Sequence, residues 1–225
     1  MTLQNRVTPA GEIIATPARG TLMGNRGILH DENKRVIRTS RNTMWLICLL
    51  EFKGRRRQLM RPGTYTELFF LDEAVALAAG HRPCGECRRA QCRSYLAAVN
   101  NASDEPLAGP RDLDRRLKKS RLAPWRVANP AALPDGVFVS LGGGDMWLIW
   151  SGSLHRWTPE GYVDAVAIAK AGTESAQVIT PALSVAALEH GYRVEVHSSA
   201  RQTEATSGTG DAAAAGISTS GCSDL

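Results

Sequence analysis

The sequence predicts an α+β protein, and three observations carry that expectation. Short apolar runs punctuated by Gly and Pro fill the first seventy or so residues. One Ala-rich segment, "DEAVALAAG", carries both helix-start and helix-stop residues. Three of the five cysteines fall within "GHRPCGECRRAQC", residues 80–92. Together they predict a small metal-clamped hairpin and helix unit embedded in a mixed, β-rich domain, with a disordered C-terminal tail.

Each element has a local reason. Residues 1–29, with "GEIIATPARGTLMGNRGIL", are too densely punctuated for a long helix and read as strands and turns, with basic side chains at Arg6, Arg19 and Arg26. "HDENKRVIRTSRN" is a polar connection with a hairpin turn around Asp31 to Asn33. The apolar run "MWLICLLEF" stops at Lys53-Gly54, and "RPGTYTELFFL" brings a turn at Pro62-Gly63, so residues 44–71 read as two or three antiparallel strands with basic turns. Asp72 is a good N-cap, Glu73 places negative charge in the first turn, and Gly80 is set to end the helix in the left-handed region. Pro83 forbids helix at Arg82, so the chain reaches Cys84 extended. A second helix is expected from about Glu86 to Val99.

"NNASDEPLAGP" has linker composition, and "RDLDRRLKKSRL" reads as a basic helix. A second β-rich stretch follows: "VFVSL", a "GGG" turn, "DMWLIW" and a turn at "WTPEGY". "TPALSVAALEHGYRVEV" reads as a helix capped near Thr180, ended at Gly191 and followed by a strand. It echoes "AVALAAGHRP", through either duplication or shared helix-stop chemistry. The organisation expected is a β-rich region over 1–100 with the metal unit at about 40–100, a linker and basic helix over 101–130, a β-rich α+β region over 131–199, and a disordered tail over 200–225. That tail, small and polar, leaves Cys222 an incidental thiol.

Composition narrows the class. The 225 residues are 43% hydrophobic and 22% charged, ordinary for a globular protein, and the net charge of +5 leans toward an anionic partner. The first twenty residues lack a basic segment followed by an apolar run, and "MWLICLLEF" is far short of a membrane span, so a cytoplasmic location is expected. In that compartment a close Cys pair points to metal or redox chemistry before a structural disulfide.

Cys84 and Cys87, separated by two residues, form the usual half-site for structural zinc. A redox pair is expected at a helix N-terminus after a strand, whereas this pair follows a helix and a proline, which favours metal. Tetrahedral Zn²⁺ needs two more ligands, and Cys48, Cys92, His81 and His30 are candidates. Cys48 is equally readable as a buried thiol filling a core. His81 also reads as a packed imidazole at the helix stop.

"LFFLDEAVALAAGHRPCGECRR" resembles the second half of the zinc-binding module at the N-terminus of the Ada DNA-repair protein, through Phe69, Phe70, Glu73, Ala74, Ala78, Ala79, Gly80, Arg82, Pro83, Cys84 and Cys87. The likeness covers some 45 to 50 residues if Cys48 stands in place of the module's first ligand. It implies bound zinc, an association with DNA repair or processing, and Cys48 as a ligand. That module carries a second cysteine four residues on, one of the two accepting a methyl group from DNA. Here that position is Phe52, so the fourth ligand must come from elsewhere. The chain as a whole also resembles uncharacterised bacterial proteins sharing "GNRG", "LEFKGR" and "YTELFFLDEA", a likeness that brings no function.

A metal joining residues 48 and 84–87 would gather Lys53, Arg55, Arg56, Arg57, Arg82, Arg88 and Arg89 on one face. Such a cluster is expected to bind nucleic-acid phosphates, DNA above all, with strong salt dependence. The cations of "RDLDRRLKKSRL" read more simply as a solvated helix face. No base-reading motif is present. The tryptophans, Trp45 and Trp125 among them, are candidates for stacking, although most tryptophans are core. An enzyme is the alternative: Glu67, Asp72 and Glu73 offer carboxylates, Lys53 could join Glu67, and a zinc-bound Cys48 thiolate could attack an electrophile. No HNH, HExxH, P-loop or GxSxG pattern supports it. A zinc-stabilised protein-interaction module is the third reading.

Overall fold

A computed structural model describes residues 2–55 and 58–200 of the chain. It is a mixed α+β structure of two six-stranded sheets and four helices. The first sheet contains β1 (Gln4–Val7), β2 (Ile13–Ala15), β3 (Leu22–Asn25), β4 (Leu46–Cys48), β5 (Leu68–Phe70) and β6 (Arg82–Pro83), in the order β2-β1-β5-β3-β4-β6. Its β1–β5 and β4–β6 pairs are parallel and the others antiparallel. The second sheet contains β7 (Arg126–Ala128), β8 (Phe138–Ser140), β9 (Met146–Trp150), β10 (Ser153–Thr158), β11 (Gly161–Ala167) and β12 (Ala176–Val178). It is antiparallel throughout, in the order β11-β10-β9-β8-β12-β7. β7 falls inside the stretch expected to be linker and basic helix.

Between the sheets lies α1 (Glu73–Ala78), every residue of it buried. Its N-cap is the expected one: Asp72 Oδ1 accepts from Val75 N at 2.9 Å. Gly80 ends the helix at φ +81°, a conformation that glycine adopts without strain. The second "helix, then glycine" segment stops the same way: α4 (Ala182–Glu189) is followed by Gly191 at φ +96°. The remaining helices are α2 (Arg89–Asn101) and α3 (Pro110–Leu122). Tyr95 of α2 locks onto α4 by a 2.9 Å hydrogen bond with Ser184, and meets Tyr192 edge-to-face at 5.1 Å.

One continuous apolar core runs through both halves, from Leu22, Phe70 and Leu77 to Phe138, Leu148 and Leu188. Gly24 lets Phe70 into it, because a Cβ there would stand 2.4 Å from the Phe70 ring. The polar joint between the halves is the start of α1. Asp72 Oδ2 accepts from Tyr162 Oη at 2.8 Å and from His197 N at 2.9 Å. Glu73 accepts from Tyr192 Oη at 2.6 Å and from Glu195 N at 3.2 Å.

Two expectations need correction. The stretch after Gly191 is not a strand, because its backbone is committed to Asp72 and Glu73 rather than to a sheet edge. Residues 44–71 do supply two strands, β4 and β5, but these do not pair with each other: each lies antiparallel to β3, on opposite sides of it, with turns and irregular chain across the described part of 49–67. There the fully buried Met60, at φ +52°, donates its backbone N–H to Glu67 Oε2 at 2.8 Å, a local bond that replaces a ladder. The turn at Asp31 forms as expected, its Oδ1 accepting from Asn33 N and Arg35 N at 2.9 Å each. The expected disordered tail falls almost wholly on residues 201–225, outside the described residues. No helix among the described residues is long and apolar enough to cross a membrane.

Candidate metal centre

β4 is paired on one side with β3, placing Cys48 opposite Met23, and on the other with the two-residue strand β6. That second pairing continues one residue past Pro83, where Cys84 N donates to Ile47 O at 2.9 Å. The extended entry that Pro83 imposes thus sets Cys84 beside Cys48. The turn that follows brings round Cys87. The Sγ atoms of Cys48, Cys84 and Cys87 all lie within 4.8 Å of one another.

The electrostatics of the three thiols are unequal. Cys84 is drawn down to about 5, first by the hydrogen bond it receives from Cys48, against the opposing effect of burial. The backbone N–H groups of Cys87 and Glu86 also face its sulfur, the second at 3.4 Å. Cys48, which donates to that thiolate, is pushed far up by the hydrogen bond and by its burial. Burial raises Cys87, against the pull of the Leu49 N–H. Cys84 is thus the thiol most disposed to ionise, and a divalent cation would favour the thiolate of all three.

Donor chemistry fits zinc. Tetrahedral Zn²⁺ with Zn–S of about 2.3 Å sets sulfurs roughly 3.8 Å apart, within reach of this trio by small side-chain rotations. No fourth His, Cys, Asp or Glu among the described residues joins it. His30 is the expectation that fails. Its ring is held elsewhere, Nδ1 2.6 Å from Thr66 Oγ1 and Nε2 3.3 Å from the Arg61 carbonyl. His81 is a core imidazole against Trp45 and Phe70, its Nε2 accepting from Arg26 Nε at 3.1 Å. Cys92 is buried behind the site, 3.9 Å from Arg82 Nη1.

The side of the trio without a protein ligand faces a cavity of about 440 Å³, walled largely by apolar side chains such as Met23, Leu50, Phe52 and Leu59. Asn25, Glu51, Arg55, Tyr65, Glu67 and Glu86 supply its polar groups. Glu67 is 3% exposed, and while its Oε2 holds the Met60 N–H, its Oε1 has no hydrogen-bond partner among the described residues. Glu67 is one of the carboxylates the sequence offered, and its place on the cysteine cavity comes from the fold, since it lies 19 residues after Cys48 and 17 before Cys84.

The cations expected to gather here are dispersed. Arg82 is 4% exposed and bidentate on Asp114, Nε to Oδ1 at 2.7 Å and Nη2 to Oδ2 at 2.9 Å. Arg88 is 3% exposed and donates to Glu73 at 2.7 Å. Both guanidiniums are consumed by buried carboxylates, which removes them from any phosphate-binding surface. Arg55 is half-exposed and bridges to Glu86 at 2.6 Å. Lys53 and Arg89 are exposed, and Arg56 and Arg57 lie outside the described residues.

No protein-family model matches the chain, and no curated protein or solved structure matches it at a significant level.

Proposed function

We propose that Cys48, Cys84 and Cys87 bind one Zn²⁺ as thiolates, and that this is a reactive centre whose fourth coordination position opens to the adjoining cavity. One observation carries the reading. Three sulfurs converge from segments 36 residues apart in sequence, and on the remaining side stands a cavity instead of a fourth protein donor. Structural zinc sites are closed by four protein ligands, whereas reactive ones keep a position free. When bound, zinc supplies Lewis acidity and keeps its thiolates ionised at neutral pH.

The chain's own residues divide the remaining tasks. Apolar walls favour a small, weakly charged ligand, and the bare Oε1 of Glu67 can accept a proton from it. The cavity carries Glu51, Glu67 and Glu86 against a single described arginine, so a phosphate is not its natural occupant. The likeness to the Ada module supports zinc and Cys48 as ligand, and the reading follows that likeness no further.

Metal analysis tests the proposal: one zinc per chain is expected, and Cys84→Ser should lose it. In the cobalt-substituted protein, added imidazole should alter the visible spectrum by entering the free position. Zinc retained by Cys84→Ser, or a spectrum indifferent to imidazole, would refute the open centre.

Association with nucleic acid is the second reading. It is favoured by the exposure of Lys53 and Arg89 together with Arg111, Arg115, Lys118 and Lys119 of α3. DNA affinity falling steeply with salt is the expected result, and salt-independent binding contradicts it.

A further inference from the structure

Successive residues of an extended chain point to opposite faces, and the β3–β4 pair uses this to separate two cavities. Asn25 and Leu46 line the cysteine cavity, while their neighbours Arg26 and Trp45 line another, of about 520 Å³. The two share no lining residue. The second cavity carries four cations, Arg26, Arg41, Lys118 and Arg121, and no carboxylate among its described lining residues.

Arg26 is the decisive group. It is 0% exposed, yet no carboxylate among the described residues lies within ion-pair distance of it. Its Nε donates to His81, and Nη1 to Gly11 O at 3.0 Å. Nη2 is buried with no hydrogen-bond partner among the described residues. Arg121 lies close by, donating to Gly80 O at 2.8 Å and Thr43 O at 3.0 Å. Both guanidiniums stand over the Trp45 ring, 3.9 and 4.2 Å from its centroid. Carbonyls and a π-face satisfy some of these donors but leave the charge uncancelled. Burial and mutual repulsion accordingly depress Arg26 to about 9, still cationic at neutral pH. Buried charges are ordinarily paired, and none of the described residues supplies a carboxylate here, which leaves a place for a bound anion.

We propose that this cavity binds a phosphate monoester, its oxyanion held by the accessible Arg121, Arg41 and Lys118 over the buried positive charge of Arg26, and its organic part laid against Trp125. A guanidinium presents a planar fork that matches phosphate oxygens. Four cations suit a dianion better than a single carboxylate. The volume exceeds what an inorganic ion needs, and Trp125, 47% exposed, offers its indole to a ring. The monoester is either a free nucleotide or the phosphorylated end of a nucleic-acid strand.

Calorimetry on the full chain with AMP, inorganic phosphate and adenosine tests this. AMP binds, phosphate binds more weakly, and adenosine binds at least about tenfold more weakly than AMP. Arg26 is too deep in the fold for a clean variant, so Arg121→Gln is the main probe, losing about tenfold or more in AMP affinity. Lys118→Gln, at an exposed position tolerant of change, loses about two- to fivefold. A 5′-phosphorylated oligonucleotide binding tighter than AMP, with its 5′-hydroxyl counterpart weak, identifies a strand end; AMP as the tighter ligand identifies a free nucleotide. Equal affinity for AMP and adenosine, unchanged AMP affinity in both variants, or no saturation below about 10 mM overturns the proposal.

Discussion

Arg88 Nη1 donates to Glu73 Oε1 across 2.7 Å, with both side chains almost wholly withdrawn from solvent. The arginine directly follows the metal-ligand turn, and the carboxylate opens the central helix that also receives Tyr192 and Glu195. Glu73 thereby links the candidate metal centre to the C-terminal half.

Cutting that link should be expensive. Glu73→Ala leaves Arg88 as an uncompensated buried cation and Tyr192 Oη without its acceptor, and removal of one partner of a buried pair costs about 3–5 kcal/mol. Urea denaturation of Glu73→Ala should show a loss of this size. The exposed Arg55–Glu86 pair provides the contrast, since Glu86→Ala should barely move the midpoint. A small effect from Glu73→Ala would show that the joint is not structural.

His81 makes stability depend on pH. Burial, reinforced by Arg26 and Arg121, holds its pKa well below the ordinary value of about 6.5. Above that value both folded and unfolded forms carry a neutral imidazole and it contributes no slope. Below it the unfolded chain takes up a proton that the folded one refuses, so stability falls as pH drops, by up to about 1.4 kcal/mol per pH unit. Urea midpoints between pH 7.5 and 5.5 should show this decline in the wild type and a flatter profile in His81→Gln. Equal slopes would remove His81 from the account.

These features were unequally legible in the sequence. The cap at Asp72, the stop at Gly80 and the turn at Asp31 are local hydrogen-bond chemistry, and residues a few positions apart announce them. The Cys84–Cys87 pair was legible for the same reason, and Pro83 announced the extended approach that brings it to Cys48. The fates of Arg82 and Arg88 were not, because their partners Asp114 and Glu73 are 32 and 15 residues away. A run of arginines looks the same whether it meets carboxylates inside or phosphates outside. The cavity at Arg26, Trp45 and Arg121 draws on three separated segments, and in sequence each residue had an unremarkable reading.

Thiol reactivity should expose the inequality within the cysteine trio. With metal removed, Cys84 is ionised above about pH 5 because Cys48 donates to it and backbone N–H groups face it. Alkylation by iodoacetamide should therefore continue at pH 6, where an ordinary thiol of pKa about 8.5 has lost over two orders of magnitude in thiolate. Peptide mapping should find the label on Cys84, and zinc should suppress it. Labelling that rises only above pH 8 would contradict the assignment.

Glu67 holds the wall of the cysteine cavity by accepting the buried Met60 N–H. Glu67→Ala strands that donor and should cost about 1–3 kcal/mol, while zinc stoichiometry stays at one because the carboxylate lies outside the sulfur cluster. Glu67→Gln retains an acceptor and should recover most of the stability. Loss of zinc in both variants would make Glu67 the fourth ligand and close the site.

The open trithiolate centre is tested most directly by X-ray absorption at the zinc edge of the purified, zinc-loaded protein. Three sulfur scatterers at about 2.3 Å and one lighter oxygen or nitrogen at about 2.0 Å are expected. Four sulfurs, or no sulfur shell at all, would contradict it.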